Sequence, residues 1–76
     1  MDKASLQILI GKRLKQIREE KNLTQIDLAH LCGFDKQVIN RLEAGNNNPT
    51  AFTLQNIAEK LNIETSELLN FKPLNI

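Results

Sequence analysis

Cysteine and histidine each occur only once in this 76-residue chain, and glycine occurs only three times. A single cysteine cannot form an internal disulfide, and Cys32 falls on the apolar side of a predicted helix, where we expect a small buried hydrophobe. The lone His30 and Cys32, together with their acidic neighbours, do not have the spacing of zinc ligands. Phosphate loops and nucleophile elbows are also absent. The sequence therefore predicts no metal site, no cofactor and no enzymatic activity.

Long apolar runs are missing as well, and we expect no secretory leader. Hydrophobic residues make up 41% of the chain, but no run of them is long enough to cross a bilayer. The opening segment MDKASLQILIGKR does not have the order of a secretory signal, because its apolar stretch is short and the basic residues follow it. We therefore expect a cytoplasmic location, no membrane contact and one domain over residues 1–76.

Charge is unevenly distributed along the chain, although the net charge is only +1. Residues 1–41 hold eight Lys or Arg and five acids, whereas residues 42–76 hold two Lys and four acids. This asymmetry predicts that the N-terminal part faces phosphate groups and that the C-terminal part is free for self-association.

Two short amphipathic helical patterns meet around Gly33 in the segment TQIDLAHLCGFDKQVINRLEAG, residues 24–45. Thr24 is a predicted N-cap for a helix over about 25–32, and Gly33 suits its left-handed end. Asp35 is predicted to cap a second helix over about 36–44, with Gly45 as its stop. A turn this short makes the two helices cross steeply and share one apolar core. The pattern is typical of a helix-turn-helix.

The outer face of the second of these helices carries long polar side chains at positions i, i+1, i+4 and i+5. They are Lys36, Gln37, Asn40 and Arg41. Arg and Lys can donate to guanine O6 and N7, while Gln and Asn can pair with adenine, so this face suits base edges in a major groove. A solvated polar face is the alternative interpretation.

A first helix is predicted upstream by apolar residues at helical spacing. Leu6, Ile10, Leu14 and Ile17 recur in this way, which predicts a helix over about 5–21 with Asn22 as its stop.

Two further helices are predicted downstream of Gly45. Pro49 and Thr50 indicate a fourth helix that runs to about residue 61, with Thr50 as its N-cap. A short fifth helix is expected from residue 64 or 65, with Leu68 and Leu69 packing inward. Together these patterns predict a compact all-α fold of five helices.

From about residue 10 to residue 69 the sequence resembles the phage-repressor and Cro class of helix-turn-helix proteins, also called the xenobiotic-response-element family. The segments that carry the resemblance are IGKRLKQIREEKNLTQIDLA, CGFDKQVINRLEAG and NPTAFTLQNIAEKLNIETSELL. They match a basic first helix, Leu-Thr-Gln opening helix two, a Gly before the turn, and Ile-x-x-(Ile/Leu)-Glu-x-Gly closing the recognition helix. The resemblance implies a five-helix repressor-like domain that binds double-stranded DNA, usually as a homodimer on a palindromic operator.

The resemblance also implies roles for particular residues. Arg18 and Glu43 would form a partly buried ion pair between helices one and three; two exposed charges are the alternative. The start of helix two and the loop before helix four would lie along the phosphates, and a plain asparagine-rich loop is the alternative for the latter. The expected backbone contacts are Thr24, Gln25, Asn46, Asn47, Asn48 and Thr50.

Several apolar residues are not explained by DNA binding. Ile26 and Phe52 stand where the family usually has a polar residue, and we interpret them as candidate partner contacts. The tail over 70–76 contains three apolar residues that one small monomer cannot bury, so we predict homodimer contacts there; a disordered tail is the alternative. The predicted contacts are Phe52, Phe71, Leu74 and Ile76. A protein-interaction module, such as an antitoxin-like subunit, is the second functional hypothesis.

Overall fold

The computed structural model describes residues 1–71, in which four α-helices are followed by one short 3₁₀ helix. Their bounds are α1 Lys3–Glu20, α2 Gln25–Cys32, α3 Lys36–Glu43, α4 Ala51–Leu61 and the 3₁₀ helix Thr65–Leu69. No strand occurs among these residues, so the predicted all-α fold is confirmed for this part of the chain. The fifth element differs from the expected α-helix because it is a single 3₁₀ segment. No helix in this described part is long and apolar enough to cross a membrane.

Side-chain caps decide where three of the helices begin. Thr24 and Asp27 form a capping box, and Thr50 accepts a hydrogen bond from the Thr53 N–H at 3.1 Å. α1 begins at Lys3, two residues earlier than predicted, because the Asp2 carboxylate accepts a hydrogen bond from the Ser5 N–H at 2.8 Å. These bonds satisfy N–H groups that have no partner within the helix.

One predicted detail of the caps is wrong, namely the capping hydrogen bond of Asp35. Asp35 does occupy the N-cap position of α3, but its side chain makes no capping hydrogen bond. Glu64 precedes the 3₁₀ helix in the same way and also makes no capping bond. An acidic residue in the extended N-cap position thus does not always direct its carboxylate toward the free N–H groups of the helix.

All four α-helices end in the same way, on a residue in the left-handed conformation. In each case the following residue donates its N–H to the carbonyl five positions back, at 2.8 to 3.1 Å. Glycine and asparagine tolerate this conformation best, and the hydrogen bond satisfies a carbonyl that has no partner within the helix. The four residues are Asn22, Gly33, Gly45 and Asn62, with φ between 60° and 78°. Three of them (Asn22, Gly33 and Gly45) are the stops predicted from sequence.

The core draws on every helix. Its members are fully or almost fully buried and form one cluster: Ile10, Leu14, Ile17, Leu28, Ala29, Cys32, Ile39, Leu42, Leu54, Ile57, Ala58, Leu61 and Leu68. Leu69 was expected to pack inward with Leu68, but its side chain is 46% exposed. Adjacent residues of a 3₁₀ helix point in directions one third of a turn apart, so only one of the two can face the core.

The backbones of α1 and α3 approach closely at Gly11, which the sequence analysis did not single out. A Cβ atom at this position would overlap the carbonyl oxygen of Leu42 and lie 2.7 Å from that of Glu43. Only a residue without a side chain allows the two helices to touch here. Gly11 therefore sets the distance between the first helix and the end of the third.

We predict that Gly11→Ala destabilises the fold by about 1 to 3 kcal/mol, as overpacking typically does. The sign is informative, because alanine in place of a helix-interior glycine normally stabilises a helix by about 1 kcal/mol. Urea denaturation gives the free energy of unfolding, with exposed Lys15→Ala on the same helix as the control. A Gly11→Ala variant as stable as the parent would show that the helices can separate without cost.

Candidate nucleic-acid interface

The outer face of α3 is open to solvent. Lys36, Gln37, Asn40 and Arg41 are all exposed, while Ile39 and Leu42 on the opposite side of the helix are buried. Within residues 1–71, neither Lys36 nor Arg41 forms an ion pair with a carboxylate. The structure thus brings the four predicted base-reading residues together on one face, with both cationic groups available to a ligand.

Arg18 and Glu43 lie against each other where α1 meets the C-terminal end of α3. Arg18 Nε donates to Glu43 Oε2 at 2.6 Å, and Nη2 donates to Oε1 at 3.0 Å. Arg18 Nη1 also donates to the carbonyl of Leu23 at 2.6 Å. The two side chains are only 8% and 4% exposed. Hydrogen bonding to Glu43 raises the pKa of Arg18 above its usual value, so the guanidinium stays charged.

Gln25 joins this pair to the exposed face. Its Nε2 donates to Glu43 Oε1 at 3.0 Å, and its Oε1 accepts a hydrogen bond from Asn40 Nδ2 at 3.4 Å. The sequence analysis assigned Gln25 to the DNA backbone and did not foresee this arrangement. The relevant signal was present, since Gln25 opens α2 and Asn40 and Glu43 lie one turn apart on α3, but only the crossing of the two helices shows that they meet.

The first residues of α2 lie next to the exposed polar face of α3. Thr24 is exposed, and its hydroxyl accepts the hydrogen bond of the Asp27 N–H at 3.0 Å. Asp27 in turn accepts a hydrogen bond from the Thr24 N–H at 2.8 Å, and hydrogen bonding from Thr24, chiefly from its backbone, lowers the pKa of the Asp27 carboxyl. The Thr24 side chain therefore already acts as a cap, whereas the N–H groups that follow it point out of the helix end.

The loop over residues 46–50 connects the end of α3 to the start of α4. Asn46, Asn48 and Thr50 are exposed, and Asn47 is partly buried. Just before this loop, the carbonyl of Gly45 accepts a hydrogen bond from Gln7 Nε2 on α1 at 3.2 Å. The loop thus follows the C-terminal end of α3, and the residue just before it is hydrogen-bonded to α1.

The charge asymmetry predicted that the basic residues of α1 face outward, but Arg13 does not. Arg13 Nε donates to the carbonyl of Glu67 at 2.8 Å, and Nη2 pairs with the Glu67 carboxylate at 3.1 Å. Arg13 therefore holds the 3₁₀ helix against α1. Its neighbours Lys12 and Lys15 are exposed and remain available to phosphate groups.

The predicted partner contacts lie on the surface. Ile26 is 49% exposed and Phe52 is 74% exposed. Phe71 is only partly exposed, because it packs against the core cluster. The other two predicted dimer contacts, Leu74 and Ile76, lie outside the described residues.

No metal site is formed within residues 1–71, where no group of three or more His, Cys, Asp or Glu is placed to hold an ion. Cys32 is buried, and its burial raises the pKa of the thiol, so it stays protonated and acts as part of the core.

Comparison with known proteins gives a consistent result. The helix-turn-helix family model HTH_3 matches residues 14–68. An uncharacterized HTH-type transcriptional regulator, y4dJ of Sinorhizobium fredii, is 38% identical over 80% of this chain and 79% of its own length. The immunity repressor of Bacillus phage phi105 is 32% identical over 86% of this chain, which spans 45% of that repressor. The crystal structure of the restriction-modification controller protein C.AhdI from Aeromonas hydrophila superposes with a TM-score of 0.79, at 34% identity over 82% of this chain and 94% of C.AhdI.

We predict that Arg18→Ala and Glu43→Ala each destabilise the fold by about 3 to 5 kcal/mol, because each change leaves a buried charge without its partner. The double variant should lose less than the sum of the two, since its second substitution removes a charge that is already unpaired. Arg41→Ala is the matched control: it removes an exposed arginine and should change stability by no more than about 0.5 kcal/mol. Losses in urea denaturation that simply add would contradict the pairing.

Proposed function

The chain belongs to the helix-turn-helix family of DNA-binding transcriptional regulators, and on this premise we propose that it binds a palindromic operator as a homodimer and represses transcription by occupying a promoter. α3 enters the major groove, and the two copies read half-sites about one helical turn apart. The similar proteins are transcriptional regulators and not enzymes, which agrees with the absence of catalytic motifs in the sequence.

The observation that carries this proposal is the exposed polar face of α3, mounted on a helix whose other side is buried. Gln37 and Arg41 lie one helical turn apart, so both reach the same groove. Arginine donates two parallel hydrogen bonds to guanine, and glutamine pairs in the same bidentate way with adenine. Lys36 lies at the start of the helix, within reach of a base or a phosphate.

Contacts to the DNA backbone would come from the start of α2 and from the loop over residues 46–50, which lie on either side of α3. The free N–H groups at the start of α2, next to Thr24 and Gln25, attract phosphate through the positive end of the helix dipole. The amides of Asn46, Asn47 and Asn48 lie on the other side and can donate to the next phosphates. Thr50 ends this loop, and its hydroxyl caps α4. Such contacts set the position of α3 and carry no sequence information.

Repression requires the fewest additional parts, because a bound dimer blocks a promoter without contacting polymerase. The phi105 relative is described as an immunity repressor, which supports the same direction of control. Since the proposed target is duplex DNA, we also propose that the protein acts in the cytoplasm.

A protein-interaction module, such as an antitoxin-like subunit, is the second candidate. It is favoured by the exposure of Ile26 and Phe52, which are not among the proposed DNA contacts. Pure protein binding would be better served by acidic or apolar residues on the outer face of α3, whereas this face carries amides and cations. We therefore place DNA binding first and any protein partner on a DNA-bound dimer.

Selection of binding sites from random duplexes tests the proposed function. We predict that Gln37→Ala and Arg41→Ala each weaken binding to the selected site by about 1 to 3 kcal/mol and relax the choice at one base pair per half-site, because a bidentate contact is lost. Lys60→Ala on α4 removes one charge away from the reading face and serves as the control. If both variants select the same sequence as the parent and bind it with unchanged affinity, the outer face of α3 does not read DNA. The protein-interaction hypothesis would then be favoured.

We further predict a homodimer that depends on Phe52, which is 74% exposed, and on the segment after Phe71, because the sequence there adds Leu74 and Ile76 to the apolar residues of one small monomer. In analytical ultracentrifugation at high micromolar concentration, the parent should sediment as a dimer. Phe52→Ala and a chain truncated after Phe71 should shift toward monomer with unchanged helical circular dichroism. Ile26→Ala, a change at another exposed apolar residue, should leave the dimer intact. A parent that remains monomeric both free and with DNA would contradict the proposal.

A further inference from the structure

Four side chains form a continuous hydrogen-bonded chain from the interior to the reading face. Arg18 donates to both oxygens of Glu43, Glu43 Oε1 accepts from Gln25 Nε2 at 3.0 Å, and Gln25 Oε1 accepts from Asn40 Nδ2 at 3.4 Å. The exposed fraction rises along the chain, since Arg18 and Glu43 are almost fully buried and Asn40 is exposed. The exposed end is thus coupled to a buried, charged anchor.

The direction of each hydrogen bond in this chain is determined by the ionised carboxylate. A carboxylate only accepts hydrogen bonds, so the amide nitrogen of Gln25, and not its oxygen, must face Glu43. The oxygen of Gln25 then faces Asn40, and an oxygen there can only be approached by the Asn40 nitrogen. Because Arg18 holds Glu43 by two bonds, neither amide can turn over without losing a hydrogen bond.

We propose that Gln25 is a positioning residue that orients the amide of Asn40 for reading adenine. The inference rests on the proposed function, since it assigns Asn40 to a base. With one N–H directed to Gln25, Asn40 keeps its Oδ1 and its second N–H free for the groove. Adenine offers the matching N6–H donor and N7 acceptor, whereas guanine offers two acceptors at the same edge. The specificity at this position then depends on a residue of α2 that contacts no base.

An asparagine without this partner would turn over freely and present either polarity to the groove. Fixing such a side chain on binding typically costs a factor of about two to ten in affinity. Because Gln25 orients the amide before DNA binds, the affinity for the matching base is higher by that factor. The expected effect of losing Gln25 is therefore a loss of discrimination at one base pair. A residue that only contacts the backbone has a different effect, because it weakens every sequence alike.

Two substitutions of Gln25 separate the possibilities. Gln25→Met keeps the length of the side chain and removes both polar atoms. Gln25→Lys keeps a donor for Glu43 but has no acceptor, so it can only donate toward Asn40 and would turn the Asn40 oxygen inward and its NH₂ group outward. Gln55→Met, an exposed change on α4, is the matched control, and thermal unfolding verifies that each variant is folded.

The experiment is binding-site selection with the parent, these variants, Asn40→Ala and the Gln25→Met/Asn40→Ala double variant. Asn40→Ala identifies the base pair that Asn40 reads. At that pair we expect discrimination to fall about two- to tenfold in Gln25→Met. The double variant should discriminate no less than Asn40→Ala alone, because Gln25 acts only through Asn40. In Gln25→Lys the preference should move from adenine toward guanine.

The contrary outcomes are distinct from one another. If Gln25→Met and Gln25→Lys change the affinity for all duplexes by one common factor, Gln25 contacts only the backbone and the inference is overturned while the proposed function stands. The same holds if Asn40→Ala leaves the selected sequence unchanged although Arg41→Ala alters it. A parent chain that selects no sequence would overturn the proposed function itself, and the inference with it.

Discussion

A buried ion pair between Arg18 and Glu43 is the interaction on which the rest of the structure depends. Removing two charges from water costs several kcal/mol per ion, and only good geometry with further hydrogen bonds offsets that cost. Both conditions are met here, because the guanidinium donates twice to the carboxylate and once to the carbonyl of Leu23. The pair joins α1 to the C-terminal end of α3, and its bond to the carbonyl of Leu23 also fixes the connection just before Thr24, the N-cap of α2. It therefore holds the three helices that form the candidate DNA-binding surface.

Backbone geometry restricts the same junction independently of charge. Gly11 lets the backbone of α1 contact the carbonyls of Leu42 and Glu43 at the end of α3. This contact lies at the residue whose side chain forms the ion pair. The left-handed ends at Asn22, Gly33 and Gly45 stop the helices sharply, so that only residues 33–35 separate α2 from α3. With the distance, the connection and the ion pair all fixed, α3 has little freedom to move relative to α2. A rigid mounting of this kind is what base recognition requires, since hydrogen bonds to bases tolerate little displacement.

Much of this could be predicted from the sequence because the signals are local. The capping box of Thr24 and Asp27, the glycines at 33 and 45 and the apolar spacing each depend on residues within a few positions of one another. The bounds of α2 agree with the prediction to the residue, and those of α3 and α4 to within one residue. The polar face of α3 follows from the same periodicity. The ion pair was expected only because the sequence resembles a known family.

The features that were missed depend on contacts between distant parts of the chain. Gly11 is required because the carbonyls of Leu42 and Glu43 pack against it. Arg13 is hydrogen-bonded to Glu67, 54 residues away. No local pattern indicates that a basic residue beside an apolar stripe will be used within the fold. Leu69 was misplaced because the last turn is a 3₁₀ helix, whose geometry differs from the α-helical period assumed. The link from Gln25 to Asn40 likewise needs the crossing angle of α2 and α3.

The central claim is that the outer face of α3 is the surface that meets DNA, and amide chemical-shift mapping tests it most directly. A ¹⁵N-labelled chain would be titrated with the duplex that it selects from a random pool. The account predicts the largest shifts at the backbone amides of residues 36–41, 46–48 and 50 and at the side-chain amides of Gln37 and Asn40. Shifts centred on Ile26 and Phe52 instead, or shifts no larger than those caused by a random duplex, would contradict it.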